Sequence, residues 1–158
     1  MSCANISCRC NGAAAKNLKH DALQQHFKDK DEMQPRNTNP RHIIFLEKAA
    51  RLAAKSTMTH KHGCVLVNED DGTIVSHGYN RNTTIMCHTF SIHAEVDALM
   101  KLKKKVNKSI LPKCVMYIVR IGPTQELKYS KPCENCQKAI LKYGIKNVYY
   151  STGYSNVN

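Results

Sequence analysis

The sequence predicts a mixed α/β fold, a central sheet of four to five strands covered by helices. Three observations lead there. Helical signals occupy three stretches, near residues 40–55, 92–105 and 132–143. Short β-rich apolar runs fall between and after them, at 64–67, 74–80, 115–121 and 145–150. The resulting order, α-β-β-α-β-α-β, contains no internal repeat, and such alternation buries a mixed sheet beneath helices.

Each element has a local cause. Asn39 is a good N-cap and Pro40 suits the first helical position. Ile43, Leu46, Ala50 and Ala53 then recur at helical spacing as the expected buried stripe, through roughly Lys55. Cys64-Val65-Leu66-Val67 ends in the turn-rich Asn68-Glu69-Asp70-Asp71-Gly72, and Ile74 to Asn80 resumes, so 64–80 reads as a β-hairpin. A polar loop is expected from Arg81 to Ser91. The next helix, Ile92–Lys105, has Ile92, Val96, Leu99, Met100 and the neighbouring Val106 as its expected buried side. Lys101, Lys103, Lys104 and Lys105 crowd its C-terminal end, where cations complement the helix dipole. Val115 to Ile121 is a strand that stops at Gly122-Pro123. A third helix follows Pro132 and runs to Tyr143, with Gly144 as its C-cap. Ile145 and Val148-Tyr149-Tyr150 make the last strand.

At 158 residues the chain suits one domain. Residues 1–38 hold few large apolar side chains and read as a flexible arm; 39–158 read as the folded domain. The first twenty residues lack acids, a composition that a mobile tail explains more simply than an organelle transit peptide. No apolar run approaches the ~20 residues that span a bilayer, and no secretory signal is recognisable. The expected compartment is cytoplasmic, with the nucleus also open. The eight cysteines therefore read as thiols and metal ligands rather than disulfides. Formal net charge is +12, and residues 39–158, with eighteen bases and eight acids, carry +10 of it. Such a surface favours anionic partners, either nucleotide phosphates or a nucleic-acid backbone.

The chemistry lies in two short segments, His93-Ala94-Glu95 and Pro132-Cys133-Glu134-Asn135-Cys136. One imidazole and two thiolates supply three zinc ligands and leave a fourth position for water, the arrangement of a catalytic site. Both cysteines lie in the first turn of a helix on one face, where the dipole favours thiolate. Glu95 is the group that argues for chemistry, because a structural zinc gains nothing from an uncoordinated carboxylate nearby.

H-x-E…P-C-x-x-C is the established signature of the zinc-dependent nucleobase deaminases, and the chain resembles the cytidine/deoxycytidylate deaminase superfamily over residues 40–151. Lys61 to Val67 looks like that family's first strand, Gly78-Tyr79-Asn80 like the end of its second, and Gly144 to Tyr150 like the stretch after its third helix. The resemblance implies a three-layer cytidine-deaminase-like fold and a zinc-dependent hydrolytic deaminase. It implies Zn2+ on His93, Cys133 and Cys136, with Glu95 as the catalytic proton carrier. Asn80, which in the family contacts the substrate sugar, Ala94, and Arg81 as a receiver of phosphate are the substrate-binding candidates. Homo-oligomers are common in the family, and no membrane partner is implied.

Two departures from the family pattern stand out. Tyr129-Ser130-Lys131 replaces the Leu-Glu or similar pair of many members, and the sequence ends soon after its fourth expected strand. Cys3, Cys8, Cys10, His20, His26 and Cys87-His88 match no standard spacing, so a second, structural ion is not favoured. Cys64 and Cys114 read as core residues.

Three functions follow. Cys87-His88…His93 to Leu99 looks closest to the branch acting on a free cytosine nucleoside or nucleotide. The basic domain supports a polynucleotide deaminase, acting on tRNA adenosine or single-stranded cytosine. Such an enzyme needs aromatic platforms, for which Tyr79, Tyr129, Tyr149 and Tyr150 are available while Trp is absent. A catalytically silent zinc module that binds nucleic acid is the third, and Glu95 argues against it.

Overall fold

The structure, a computed structural model, describes residues 40–85, 88–102 and 108–152 of the chain. The arm expected at 1–38, with its three cysteines and two histidines, lies outside the described residues, as do Asn39, Cys87 and Val106. The elements are α1 (Pro40–Ala53), β1 (Lys61–Asn68), β2 (Ile74–Tyr79), β3 (Arg81–Ile85), β4 (His88–Ile92), α2 (Ala94–Met100), a 3-10 segment (Lys108–Lys113), β5 (Cys114–Ile121), β6 (Leu127–Lys128), α3 (Glu134–Lys142) and β7 (Asn147–Tyr150).

Five of the strands form one mixed sheet in the order β2-β1-β5-β6, with β7 also on β5. β1 runs antiparallel to β2 and β5, whereas β7 runs parallel to β5, the pairing that requires the α3 crossover. Cys64 to Val67 are buried without interruption, as a strand covered on both faces must be. Val65 and Val67, with Val115, Tyr117, Val119 and Ile121 of β5, pack on Phe45, Ala49 and Ala53 of α1. Cys64 and Leu66 point the other way, in register with Ile118 and Met116. All four are fully buried, and burial of each large apolar side chain is worth about 1.5–3 kcal/mol. Among the described residues no helix is long and apolar enough to cross a membrane.

The structure corrects three local expectations. On α1 the buried ridge is Phe45, Ala49 and Ala53, while Ile43 is 41% exposed. Gly63 is the cause: a Cβ there would fall within 2.5 Å of the Ala53 nitrogen and closer still to the Ala49 oxygen. Backbone therefore lies against backbone, and only an alanine ridge fits between.

On α2 the same logic holds on the opposite face. Gly78, in register with Cys64, would place a Cβ against the Ala94 oxygen and 2.5 Å from the Ala98 nitrogen. Ala94, Ala98 and Leu99 are accordingly buried together with Glu95 and Asp97, and Met100 stands 63% exposed. The helix begins at Ala94 rather than Ile92, which closes β4.

Third, the expected loop at 81–91 is an antiparallel ribbon, β3 paired with β4 from Arg81↔Ile92 to Ile85↔His88. Thr83 and Ile85 alternate with polar neighbours opposite Phe90 and His88, a period of two obscured by the polar composition.

Candidate metal centre and active-site cleft

Two helix starts meet at the site. His93 is the N-cap of α2 and Cys133 the N-cap of α3, both in extended backbone, and neither side chain caps its helix. The first turns are closed instead by Asp97 N–H on the His93 carbonyl and Gln137 N–H on the Cys133 carbonyl, each at 2.9 Å. Their side chains are thereby left for coordination, and Cys136 joins them from one turn into α3.

His93 Nδ1 lies 3.3 Å from Cys136 Sγ and 3.6 Å from Cys133 Sγ, and all three ligand atoms fall within 4.8 Å of one another. Tetrahedral zinc, with Zn–S near 2.3 Å and Zn–N near 2.0 Å, sets nitrogen and sulfur about 3.5 Å apart. The group fits a zinc ion with a fourth position open. Burial pushes the Cys136 thiol well above its ordinary value, and Glu95 and Cys133 add to the rise. Metal uptake must then release protons. Zinc affinity, measured by chelator competition, is expected to weaken as pH falls from 8 to 6 and to be lost in Cys136→Ser. An affinity independent of pH would contradict thiolate ligation.

Glu95 is 4% exposed beside the tripod. Burial raises its pKa, and its own N–H, His93 and the Cys136 thiol pull back only part of the rise. A carboxyl whose charged form is disfavoured by burial takes up a proton more readily than an exposed one, the property a proton carrier needs. The loop carrying Cys133 is fixed by Gln137, whose buried Nε2–H donates to the Pro132 carbonyl at 2.7 Å. Sequence reading did not single out Gln137; its place one turn after Cys133, on the buried side of α3, was the available signal.

A cleft of about 590 Å³ opens on this group, within the range of small-molecule sites. His93, Glu95, Ala94 and Cys133 line it, as do Asn80, Ser91, Ser130, His60, His62 and Lys131. Asn80, 6% exposed, locks the strand entering the site. Its Oδ1 accepts from the His62 N–H at 2.7 Å, its Nδ2 donates to the His60 carbonyl at 2.5 Å, and its own carbonyl accepts from Ser56 Oγ at 2.7 Å. One amide hydrogen remains for a ligand.

Arg81, expected beside Asn80 as a phosphate receiver, is placed otherwise. It does not line the cleft, and its Nε–H donates to Asp97 Oδ1 at 3.0 Å. Asp97, fully buried on α2, also accepts from Lys101 Nζ at 2.5 Å and the Tyr79 N–H at 3.3 Å. Burial pushes its carboxyl up, but Lys101, Arg81 and the Tyr79 N–H outweigh it and hold the pKa below the usual range. That stabilisation is complete above the ordinary Asp pKa of about 3.9 and fades as pH falls through the lower folded value. Melting temperature between pH 7 and 2 is therefore expected to fall more in the wild type than in Asp97→Asn. The reverse order would show that the carboxylate is not held in this way.

Ser130 and Ser151 form a second feature the sequence reading missed. Both are buried, their hydroxyls lie 2.8 Å apart, and Ser130 Oγ donates to the Ile118 carbonyl at 2.9 Å. This knot ties β5 to β7 directly before Lys131-Pro132-Cys133.

Residues 40–152 match the cytidine and deoxycytidylate deaminase zinc-binding region. No curated protein matches the chain. Among solved structures, RibD of Acinetobacter baumannii aligns at 19% identity and TM-score 0.47, over 70% of this chain and 27% of that one. Cytidine deaminase of Mycobacterium tuberculosis aligns at 14% identity and TM-score 0.43, over 68% of this chain and 81% of that one. The chain thus spans about a quarter of the RibD length.

Proposed function

The chain belongs to the cytidine and deoxycytidylate deaminase zinc-binding family, and from its cleft we infer a hydrolytic deaminase that converts the cytosine of a free nucleoside or nucleotide to uracil. One observation carries this reading. A buried, uncoordinated carboxyl, Glu95, stands beside a three-ligand zinc group at the wall of a cleft large enough for a nucleotide.

His93, Cys133 and Cys136 would hold a zinc ion, which would supply Lewis-acid activation of the attacking water. Glu95 takes one proton from the attacking water and delivers it to the ring nitrogen. It then takes the second proton of that water and delivers it to the amine, whose bond to carbon breaks as the carbonyl forms. Ammonia departs and a carbonyl remains. Asn80 offers its remaining amide hydrogen to the substrate sugar.

A polynucleotide substrate is the second reading. It is favoured by the exposed rings of Phe90 (51%) on the β3–β4 ribbon and Tyr129 (53%), which could stack bases. Conversion of cytidine, deoxycytidine and their monophosphates, scored against single-stranded RNA and DNA oligomers at two salt concentrations, separates the two. Uracil products from the small substrates are expected. Turnover confined to oligomers, weakening steeply with salt, would replace the first reading by the second.

A further inference from the structure

We propose that the outer edge of β2, together with the groove between it and α1, docks an extended acidic peptide of a partner protein, which adds to the sheet as one more strand. None of the residues involved lines the metal cleft.

Among the described residues β2 pairs with β1 alone, so one of its edges carries no strand. Two hydrogen bonds show which backbone groups look outward there. The Asn80 N–H crosses to β1 and donates to the His62 carbonyl at 3.1 Å, whereas the Tyr79 N–H points away from β1, to Asp97 Oδ2 at 3.3 Å. With a period of two, the N–H and carbonyl of His77 lie on that same outer edge. Asp97 closes the edge at Tyr79, and no described strand takes up the next position, at His77. Native sheets blunt such an edge with Lys, other charges or Pro on the strand itself. β2, Ile74-Val75-Ser76-His77-Gly78-Tyr79, carries none of them, and its register shift, between Ser76 and Ile74, leaves His77 to Tyr79 regular.

The cations stand beside the edge instead. The register shift sets Ile74 opposite Val67 and His77 opposite Val65, the two valines that pack on α1. Ile74, His77 and Val65 therefore face α1, and with Lys48, Arg51, Leu52 and Lys55 they line a groove of about 230 Å³. Spacings of three and four residues bring Lys48, Arg51, Leu52 and Lys55 to one side of the helix and its C-terminal end. Leu52, Val65 and Ile74 make the lining apolar, three cations surround it, and no carboxylate is among its residues. The Lys48 ammonium lies 5.5 Å from the Phe45 ring centroid. Among the described residues no ion pair engages Lys48, Arg51 or Lys55.

These features select the occupant. An unpaired edge takes an extended backbone, whose alternate side chains then fall toward α1. Apolar ones meet Leu52 and Ile74, and carboxylates meet Lys48, Arg51 and Lys55. A second copy of the chain would bring the same cations against these, in a protein of formal net charge +12. No Phe, Tyr or Trp lines the groove to stack a base, which disfavours a nucleic-acid strand.

The test titrates the zinc-loaded full chain with a peptide of about ten residues alternating Glu and Val. Its companions are a peptide of the same composition with Glu and Val in separate blocks, two forms N-methylated at alternate residues in opposite phase, and single-stranded oligothymidine. The alternating peptide is expected to bind and to slow amide exchange at His77. Lys48→Glu and Arg51→Glu should each weaken it about tenfold, and one N-methylated phase should lose binding while the other keeps it. Both side chains are exposed and outside the metal cleft, so melting temperature and zinc content should not change. No binding of the alternating peptide would overturn the proposal. Equal binding of the blocked peptide, or of both N-methylated forms, would reduce the surface to charge attraction without strand addition and overturn it too. So would tighter binding of oligothymidine, which would make the groove a nucleic-acid site, or dimerisation of the free chain abolished by the same variants, which would make the occupant a second copy.

Discussion

Replacing Glu95 with Gln is expected to leave fold and zinc content intact while cutting deamination by at least 10²–10⁴-fold, the contribution of a positioned proton carrier. Gln has nearly the same volume as Glu, so the buried position beside Cys136 stays filled. It can form hydrogen bonds but cannot take a proton from water or give one to the leaving amine. Ammonia release, metal content and circular dichroism on the same preparation check the three parts. A Glu95→Gln protein that turns over at the wild-type rate would remove the proton shuttle from the mechanism. A variant that loses zinc would instead make Glu95 a structural support of the tripod.

Gly78→Ala is expected to damage both stability and the metal centre. Its Cβ would collide with the backbone of Ala94 and Ala98, and backbone cannot yield as a flexible side chain can. Overpacking of this kind costs about 1–3 kcal/mol and sometimes more. α2 must move away from β2, carrying Glu95 with it and His93 at its N-cap. Gly63→Ala is the matched control, since it collides with α1 on the other face of the sheet. Both variants should melt at lower temperature, but only Gly78→Ala should weaken zinc several-fold in chelator competition. Equal zinc affinity in the two would show that α2 can shift without disturbing its ligand.

Those two glycines also mark where the sequence stopped being legible. The zinc group was readable because its ligand types and spacings are local: His93 and Glu95 at one helix start, Cys133 and Cys136 at another. β1 and β5 were readable as apolar runs covered on both faces. The buried sides of α1 and α2 were readable only in part. Ala53 and Leu99 fall where local periodicity put them, whereas Ile43 and Met100 are exposed and Ala49, Ala94 and Ala98 are buried. The cause is a close approach set across space by Gly63 and Gly78.

Arg81 illustrates the same limit in electrostatics. Its neighbourhood in sequence suggested a phosphate receiver, whereas its partner, Asp97, lies sixteen residues away on α2. His60 and Arg120 are sixty residues apart, and nothing local to either announces the other. The β3–β4 ribbon was hidden differently, because its alternation is carried by threonines and only three large apolar residues, Ile85, Phe90 and Ile92.

Ammonia release from zinc-loaded protein, compared with the same protein stripped of metal, tests the central claim most directly. The substrates are cytidine, deoxycytidine and their 5′-monophosphates, with deoxyguanosine and short oligomers alongside. Zinc-dependent release from a free cytosine substrate, absent after stripping and restored by adding zinc back, is the expected result. No ammonia from any free cytosine substrate, with zinc bound at one equivalent, would contradict it.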